Sequence, residues 1–312
     1  MARKRKGIAI NGIIVVDKPK GASSNHVLQQ VKRLFNAQKA GHTGSLDPMA
    51  TGVLPICFGQ ATRISQYLLD ADKAYIATIQ LGKTTDTGDA EGQILTQESP
   101  PLLDMQELQN LLDLFIGEIQ QTPPMYSALK HQGQPLYKLA RKGIEITRPP
   151  RLIHIYQLDC MGYDSENHTI NVYVKCSKGT YIRALAIDIG EKIGCGAHLS
   201  ALKRVQCGLL TDKEMVSLEK LNALSSQQML QYIYSSEYPF TDCPIFTIPK
   251  DEIDIFYRTG KLMNTQKLHG IVRLYDENAQ FIAIANFDQG QLIKKQFFLQ
   301  GIMEHDQKNV QH

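Results

Sequence analysis

The apolar positions along this chain change period several times, and each change marks an element. Gly12–Val16 is an unbroken apolar run of strand length, closed by the turn-prone Asp17-Lys18-Pro19-Lys20-Gly21. Val27, Val31, Leu34 and Phe35 then recur at helical spacing behind Ser23 and Ser24, either of which can cap a helix. After Val53–Phe58 and Gly59, a second helix carries Ala61, Ile64, Tyr67, Leu68 and Leu69 and ends near Asp70. Lys73–Leu81 alternates as a half-buried strand does, and Gly82 closes it.

Helical spacing returns over Met105–Phe115, and strands are predicted over Leu152–Tyr163 and Ile170–Cys176. Ser177–Arg183 opens an amphipathic helix that runs through Ala184–Ile193 and breaks at Gly194-Cys195-Gly196. An apolar and basic segment, Leu199–Val205, comes next. Val216 to Tyr234 reads as helical and Ser235–Pro239 as a linker. Beyond it, Gly270–Tyr275, Phe281–Phe287 and Leu292–Leu299 alternate around turns, which predicts a small β unit.

Length and composition fit this pattern. A chain of 312 residues with 43% hydrophobic positions suggests one large or two domains with an ample core. No apolar run approaches the roughly 18 residues of a membrane span, and no signal core follows the basic start, so a cytoplasmic location is expected. The six cysteines are scattered without a Cys-x-x-Cys pair, which signals neither a zinc site nor a disulfide framework. Thr84–Gly92 is acidic, but its spacing matches an EF-hand poorly.

Net charge is only +3, so its distribution carries the information. Arg3–Lys6 form a basic arm. Lys130, Lys138, Arg141, Lys142, Arg148 and Arg151 cluster in a stretch bracketed by the proline pairs 123–124 and 149–150, where Glu145 is the one acid. Such patches favour phosphate, and the bracketed stretch has the makings of a lid or thumb with a short helix inside.

The densest chemical signal is Gly41-His42-Thr43-Gly44-Ser45-Leu46-Asp47-Pro48-Met49-Ala50-Thr51-Gly52. Glycines and Pro48 force turns here and hold Asp47 on a loop. Taken locally, Asp47-Pro48 is an ordinary Asx-Pro turn. Together with Gly12–Gly21, Lys73–Gly92, Cys176–Arg183 and Gly196–Arg204 in the same order, however, the block resembles the bacterial tRNA pseudouridine-55 synthase family, the TruB type.

That resemblance covers roughly residues 10 to 210 and carries specific expectations. It implies an α/β fold with a mixed, mostly antiparallel sheet flanked by helices. A catalytic domain over 1–240, with a thumb-like insertion at 123–152, would be followed by a small PUA-like RNA-binding β domain over 241–312. It implies isomerisation of a T-loop uridine of tRNA to pseudouridine on a flipped-out nucleotide, without cofactor or metal, by a monomer needing no protein partner. Asp47 would be the catalytic carboxylate, attacking C1′ or C6 or taking the C2′ proton.

Arg183 would pair with Asp47 and keep its pKa down. Tyr75 would stack on the flipped base and take a proton at C5. Tyr181 and Leu202 would line the base pocket, and His42 would bind and order RNA. Lys130, Lys138, Arg141 and Lys142 would contact RNA as the thumb orders on binding. Departures from the family pattern are Ser45, Met49 and Arg63, and Ser45 adds a hydroxyl within reach of Asp47.

Three other readings compete. One is a guide-RNA-dependent pseudouridine synthase, and another a tRNA-folding chaperone in which catalysis is secondary. The last is a glycoside hydrolase, which needs a second carboxylate that no motif ties to Asp47.

Overall fold

The computed structural model describes residues 7–263 and 265–297. The basic arm Arg3–Lys6 and the end of the expected Leu292–Leu299 strand lie outside them. The centre is a ten-stranded sheet. Its main path runs Met215–Ser217, Gly12–Lys18, Thr51–Phe58, Ala197–Cys207, Lys73–Leu81, Thr169–Cys176, Arg151–Asp164, Gly117–Gln121. Two pairings are parallel, Gly12–Lys18 with Met215–Ser217 and Thr51–Phe58 with Ala197–Cys207, and the others are antiparallel. The mixed, mostly antiparallel sheet matches the expectation.

Both faces of the first strands are covered, which explains their unbroken apolar runs. Ile14 and Val16 pack with Leu54, Ile56 and Phe58 under the helix Ser24–Leu34. Ile13 and Val15 point the other way, with Val53 and Cys57, toward Ile64, Leu68 and Phe240. The helix begins where the sequence places it, because the Ser23 hydroxyl accepts from the His26 amide. On the far half of the sheet, the helices Met105–Asp113 and Ile182–Ile193 cover Tyr75, Ala77, Ile79, Val172 and Val174.

Three stretches differ from the periodicity reading. Leu199–Val205 belongs to the central strand Ala197–Cys207. The helical spacing from Val216 breaks into a short strand, the helices Leu218–Ala223 and Ser226–Met229, and a 3-10 turn, because Ser217 and Ser225 each cap a new start. The linker Ser235–Pro239 is instead packed down: Pro239 and Phe240 are buried, and Tyr238 donates to Glu214.

The terminal strands form as expected, joined in parallel by Ile245–Thr247, with the helix Lys250–Thr259 added. Ile284 of this unit reaches into the cluster around Ile13 and Leu68. All six cysteines are free. Among the described residues no helix is long and apolar enough to cross a membrane.

Candidate active site

Asp47 sits on the loop between the short strand Ala40–His42 and Thr51–Phe58. Asp47 to Ala50 is a β-turn closed by the Ala50 amide on the Asp47 carbonyl, with Pro48 in the position that suits its fixed φ. The turn therefore needs nothing from the Asp47 side chain. Its carboxylate is 42% accessible and takes a bond from Arg183 Nε at 3.0 Å. Ser45 is exposed, and among the described contacts it makes no bond to Asp47.

The loop is pinned from below. Lys18 is fully buried, and its Nζ donates to the carbonyls of Pro19, Pro48 and Ala50 at 2.9, 3.2 and 2.5 Å. Ser24 is bonded twice to Leu46, accepting from its amide and donating to its carbonyl. Burial lowers the Lys18 pKa to about 8, against the pull of Asp47 and Glu91.

Arg183 lies in the first turn of Ile182–Ile193 with a side chain 5% accessible. It bridges two carboxylates, Asp47 and, through Nη1 at 3.5 Å, the buried Asp89. It also donates to the carbonyls of Thr87 and Tyr126 at 3.1 and 2.6 Å. The Arg183–Asp47 pair forms as expected, but the expected direction of the Asp47 pKa is corrected. Burial, the largest cause, raises it and Asp89 adds to the rise, and the charge and hydrogen bond of Arg183 only partly offset them.

Sheet register brings further residues to the same place. Gly52, Arg204 and Tyr75 lie side by side on three neighbouring strands. Arg204 is buried and donates to the carbonyls of Val53 and Gly44. Gly52, at φ +95°, leaves room for the Arg204 backbone, which a Cβ there would overlap. Tyr75 and Leu202 pack in one cluster with Leu46 and Met49. Burial pushes the Tyr75 pKa up against the opposing charge of Arg204, so at neutral pH Tyr75 is a neutral phenol.

Tyr181 precedes the Arg183 helix, and its backbone is held at both N–H and C=O by the Gln121 side chain. The His42 pKa is lowered by burial and by Arg204, and among the described residues its Nδ1 has no partner. No described contact joins His42 to Asp47.

Comparison with known proteins matches residues 32–182 to a model described as TruB family pseudouridylate synthase (N terminal domain). Residues 183–238 match one described as tRNA pseudouridylate synthase B C-terminal domain. A protein of Francisella philomiragia named tRNA pseudouridine synthase B is 53% identical over 300 residues, 96% of this chain and 98% of the relative. One of Francisella tularensis subsp. novicida with the same name is 53% identical over 302 residues, covering 96% and 99%. The chain belongs to the TruB family.

Among solved structures, a Cbf5-Nop10-Gar1 complex matches this TruB-family chain with TM-score 0.67 at 25% identity, over 88% of this chain and 78% of that one. An H/ACA RNP bound to a substrate RNA containing 2′-deoxyuridine matches with TM-score 0.66 at 23% identity, over 95% and 89%, which shows a shared fold.

Within the TruB-family chain, residues 122–150 leave the sheet between Gly117–Gln121 and Arg151–Asp164 and form a small hairpin and the short helix Leu136–Ala140. Lys130, Lys138, Arg141 and Lys142 are exposed on it. Arg141 lies over the Tyr137 ring, and Arg148 pairs with Glu145. No described ion pair joins these cations to Asp47.

The expectation that no second carboxylate is tied to Asp47 is corrected by Asp89. Asp89 cannot serve as a second catalytic acid, because it is buried and its Oδ1 is taken by Thr87 and the Glu91 amide. The motif Thr85-Asp86-Thr87-Gly88-Asp89 carried the signal, but the sequence reads it only as an ordered acidic loop, and the buried arginine against it is seen in the structure. Lys18, Ser24, Arg204 and Gln121 were also missed, as buried polar side chains without periodicity of their own. Among the described residues no group of three or more His, Cys, Asp or Glu is placed to hold a metal.

Proposed function

We propose that this chain isomerises one uridine in the T-loop of tRNA, position 55, to pseudouridine, with Asp47 acting on the flipped-out nucleotide. The observation that carries the reading is a solvent-reachable carboxylate held at 3.0 Å by a buried guanidinium. The names of the relatives supply the substrate class. The reaction breaks an N-glycosidic bond, turns the base and joins C5 to the sugar.

An ionised Asp47 can attack C1′ or C6, or take the C2′ proton. Arg183 orients the carboxylate and favours its charged form when RNA excludes water. Flipping a base costs a few kcal/mol, and stacking on Tyr75 returns about 1–3 kcal/mol. As a neutral phenol, Tyr75 serves as the stacking face, and it takes the C5 proton only if its own hydroxyl proton passes to a further base such as a water of the RNA-bound site. Tyr181 and Leu202 line the pocket, and His42 orders the neighbouring RNA.

In this reading residues 1–240 form the catalytic unit and 241–312 a small RNA-binding unit. The insertion closes on the T-stem loop, where Lys130, Lys138, Arg141 and Lys142 meet phosphates. The chain acts as a monomer in the cytoplasm without cofactor or protein partner. Purified protein is incubated with unmodified tRNA, no guide RNA and no second protein, and pseudouridine is mapped at each nucleotide. Conversion of one T-loop uridine is expected. Conversion elsewhere, or only with a guide RNA and partners, would overturn the reading.

A further inference from the structure

We infer that Gln121 is a positioning residue, through which the root of the 122–150 insertion sets the Tyr181–Arg183 side of the active site. Gln121 ends the edge strand Gly117–Gln121 and pairs with Arg151, the first residue of the next sheet strand. This pair is where the chain leaves the sheet into the insertion and where it returns.

The Gln121 side chain turns inward and is 2% accessible. Its Nε2 donates to the Tyr181 carbonyl at 3.1 Å, and its Oε1 accepts from the Tyr181 amide at 2.8 Å. One amide thus holds both backbone polar groups of one residue, as a neighbouring strand would. The Tyr181 carbonyl also accepts from the Leu185 amide inside the helix, so among the described contacts the Tyr181 N–H is the group that Gln121 alone holds.

A second tie runs in the same direction. Arg183 donates from Nη2 to the carbonyl of Tyr126, inside the insertion, at 2.6 Å. A shift at the root of the insertion therefore moves the Tyr181 backbone directly, and Arg183 follows it. Only glutamine has both the length and the paired donor and acceptor for this. Leucine fills the space with neither, and an ionised glutamate keeps the acceptor alone.

The inference rests on the reaction proposed above, so its test has a readout that does not need turnover. Single-turnover pseudouridine formation at saturating protein is measured with tRNA binding for wild type, Gln121→Glu and Gln121→Leu. The expected order of rates is wild type, then Glu, then Leu, with Leu about 10–100-fold slow and tRNA Kd within about 3-fold, as for a small misplacement of reacting groups. A packing role gives the reverse order, because a buried site accepts leucine better than a carboxylate. Equal rates, or Leu faster than Glu, would overturn the inference.

Hydrogen exchange with and without bound tRNA is the second readout. In wild type, protection is expected to rise together in 122–150 and at 181–185. In Gln121→Leu, or in Gln121→Glu if the leucine variant does not fold, it rises in 122–150 alone. Equal protection of 181–185 in wild type and variant contradicts the inference. If wild type makes no pseudouridine but the coupling is lost in the variant, the reaction fails and the positioning role stands.

Discussion

On one side of the Asp47 carboxylate, the loop 41–50 is fastened by side chains rooted in the buried sheet and its first helix: Lys18 on Pro48 and Ala50, Ser24 on Leu46, Arg204 on Gly44. On the other side, Tyr181 and Arg183 are fastened partly by residues at the root of an exposed insertion, Gln121 and Tyr126. The first set of contacts is rooted in the core. The second depends on where the insertion sits. On the function proposed above, the contrast teaches how a site can hold its carboxylate in place from the core while its arginine partner is held partly from the insertion.

Removing the arginine should break the contrast most completely. Arg183→Leu leaves Asp89 buried without a counter-charge, a loss on the order of 3–5 kcal/mol in denaturant unfolding, and single-turnover activity should fall by at least about 10^3-fold. Arg183→Lys keeps the charge but not the fork, and should lie between. Wild-type stability in Arg183→Leu would place the hold on this side elsewhere.

The core-rooted side is tested by Lys18→Met, which withdraws the donor from three carbonyls. Single-turnover rate should fall about 10–100-fold, because the loop loses its register. A pH signature accompanies it. The folded chain holds Lys18 at about 8 against 10.5 ordinarily, so between those values the unfolded chain binds more protons. Wild type should therefore gain stability relative to Lys18→Met as pH rises across that window, and urea unfolding at pH 7.5 and 10 checks the sign.

Two smaller effects sharpen the picture. The Asp47 pKa is raised in the folded chain, so ionising it opposes folding above that pKa and not below the ordinary carboxylate value. Asp47→Asn should melt slightly higher than wild type at pH 7, with the difference closing as pH falls toward 3. Exposed cations of the insertion should matter only for binding. Lys138→Ala or Arg141→Ala is expected to weaken tRNA binding about 3–10-fold, with a shallower salt dependence and stability within about 0.5 kcal/mol.

Much of this was readable from the chain. The loop around Asp47 announced itself through glycines and a proline, and Lys73–Leu81 through alternation. The strand Thr51–Phe58 was hidden, because burial on both faces removes alternation and Pro55 argues against a strand. In the site, Asp47, Arg183, Tyr75 and Leu202 could be named from motifs. Lys18, Ser24 and Gln121 could not, since their roles lie in which carbonyl or amide they meet across 22 to 60 residues of chain, and Asp89, although it lies in a motif, shows its role only against Arg183. Motifs mark the groups assigned to the reaction, whereas most of the groups that hold them become visible only with the third dimension.

The most direct test of the Asp47 assignment is single-turnover conversion of unmodified tRNA by wild type and Asp47→Asn, with binding measured on the same samples. The account predicts one T-loop pseudouridine for wild type. For the variant it predicts a rate lower by at least about 10^3-fold, with tRNA affinity kept within about 3-fold. Conversion by Asp47→Asn at the wild-type rate would contradict it.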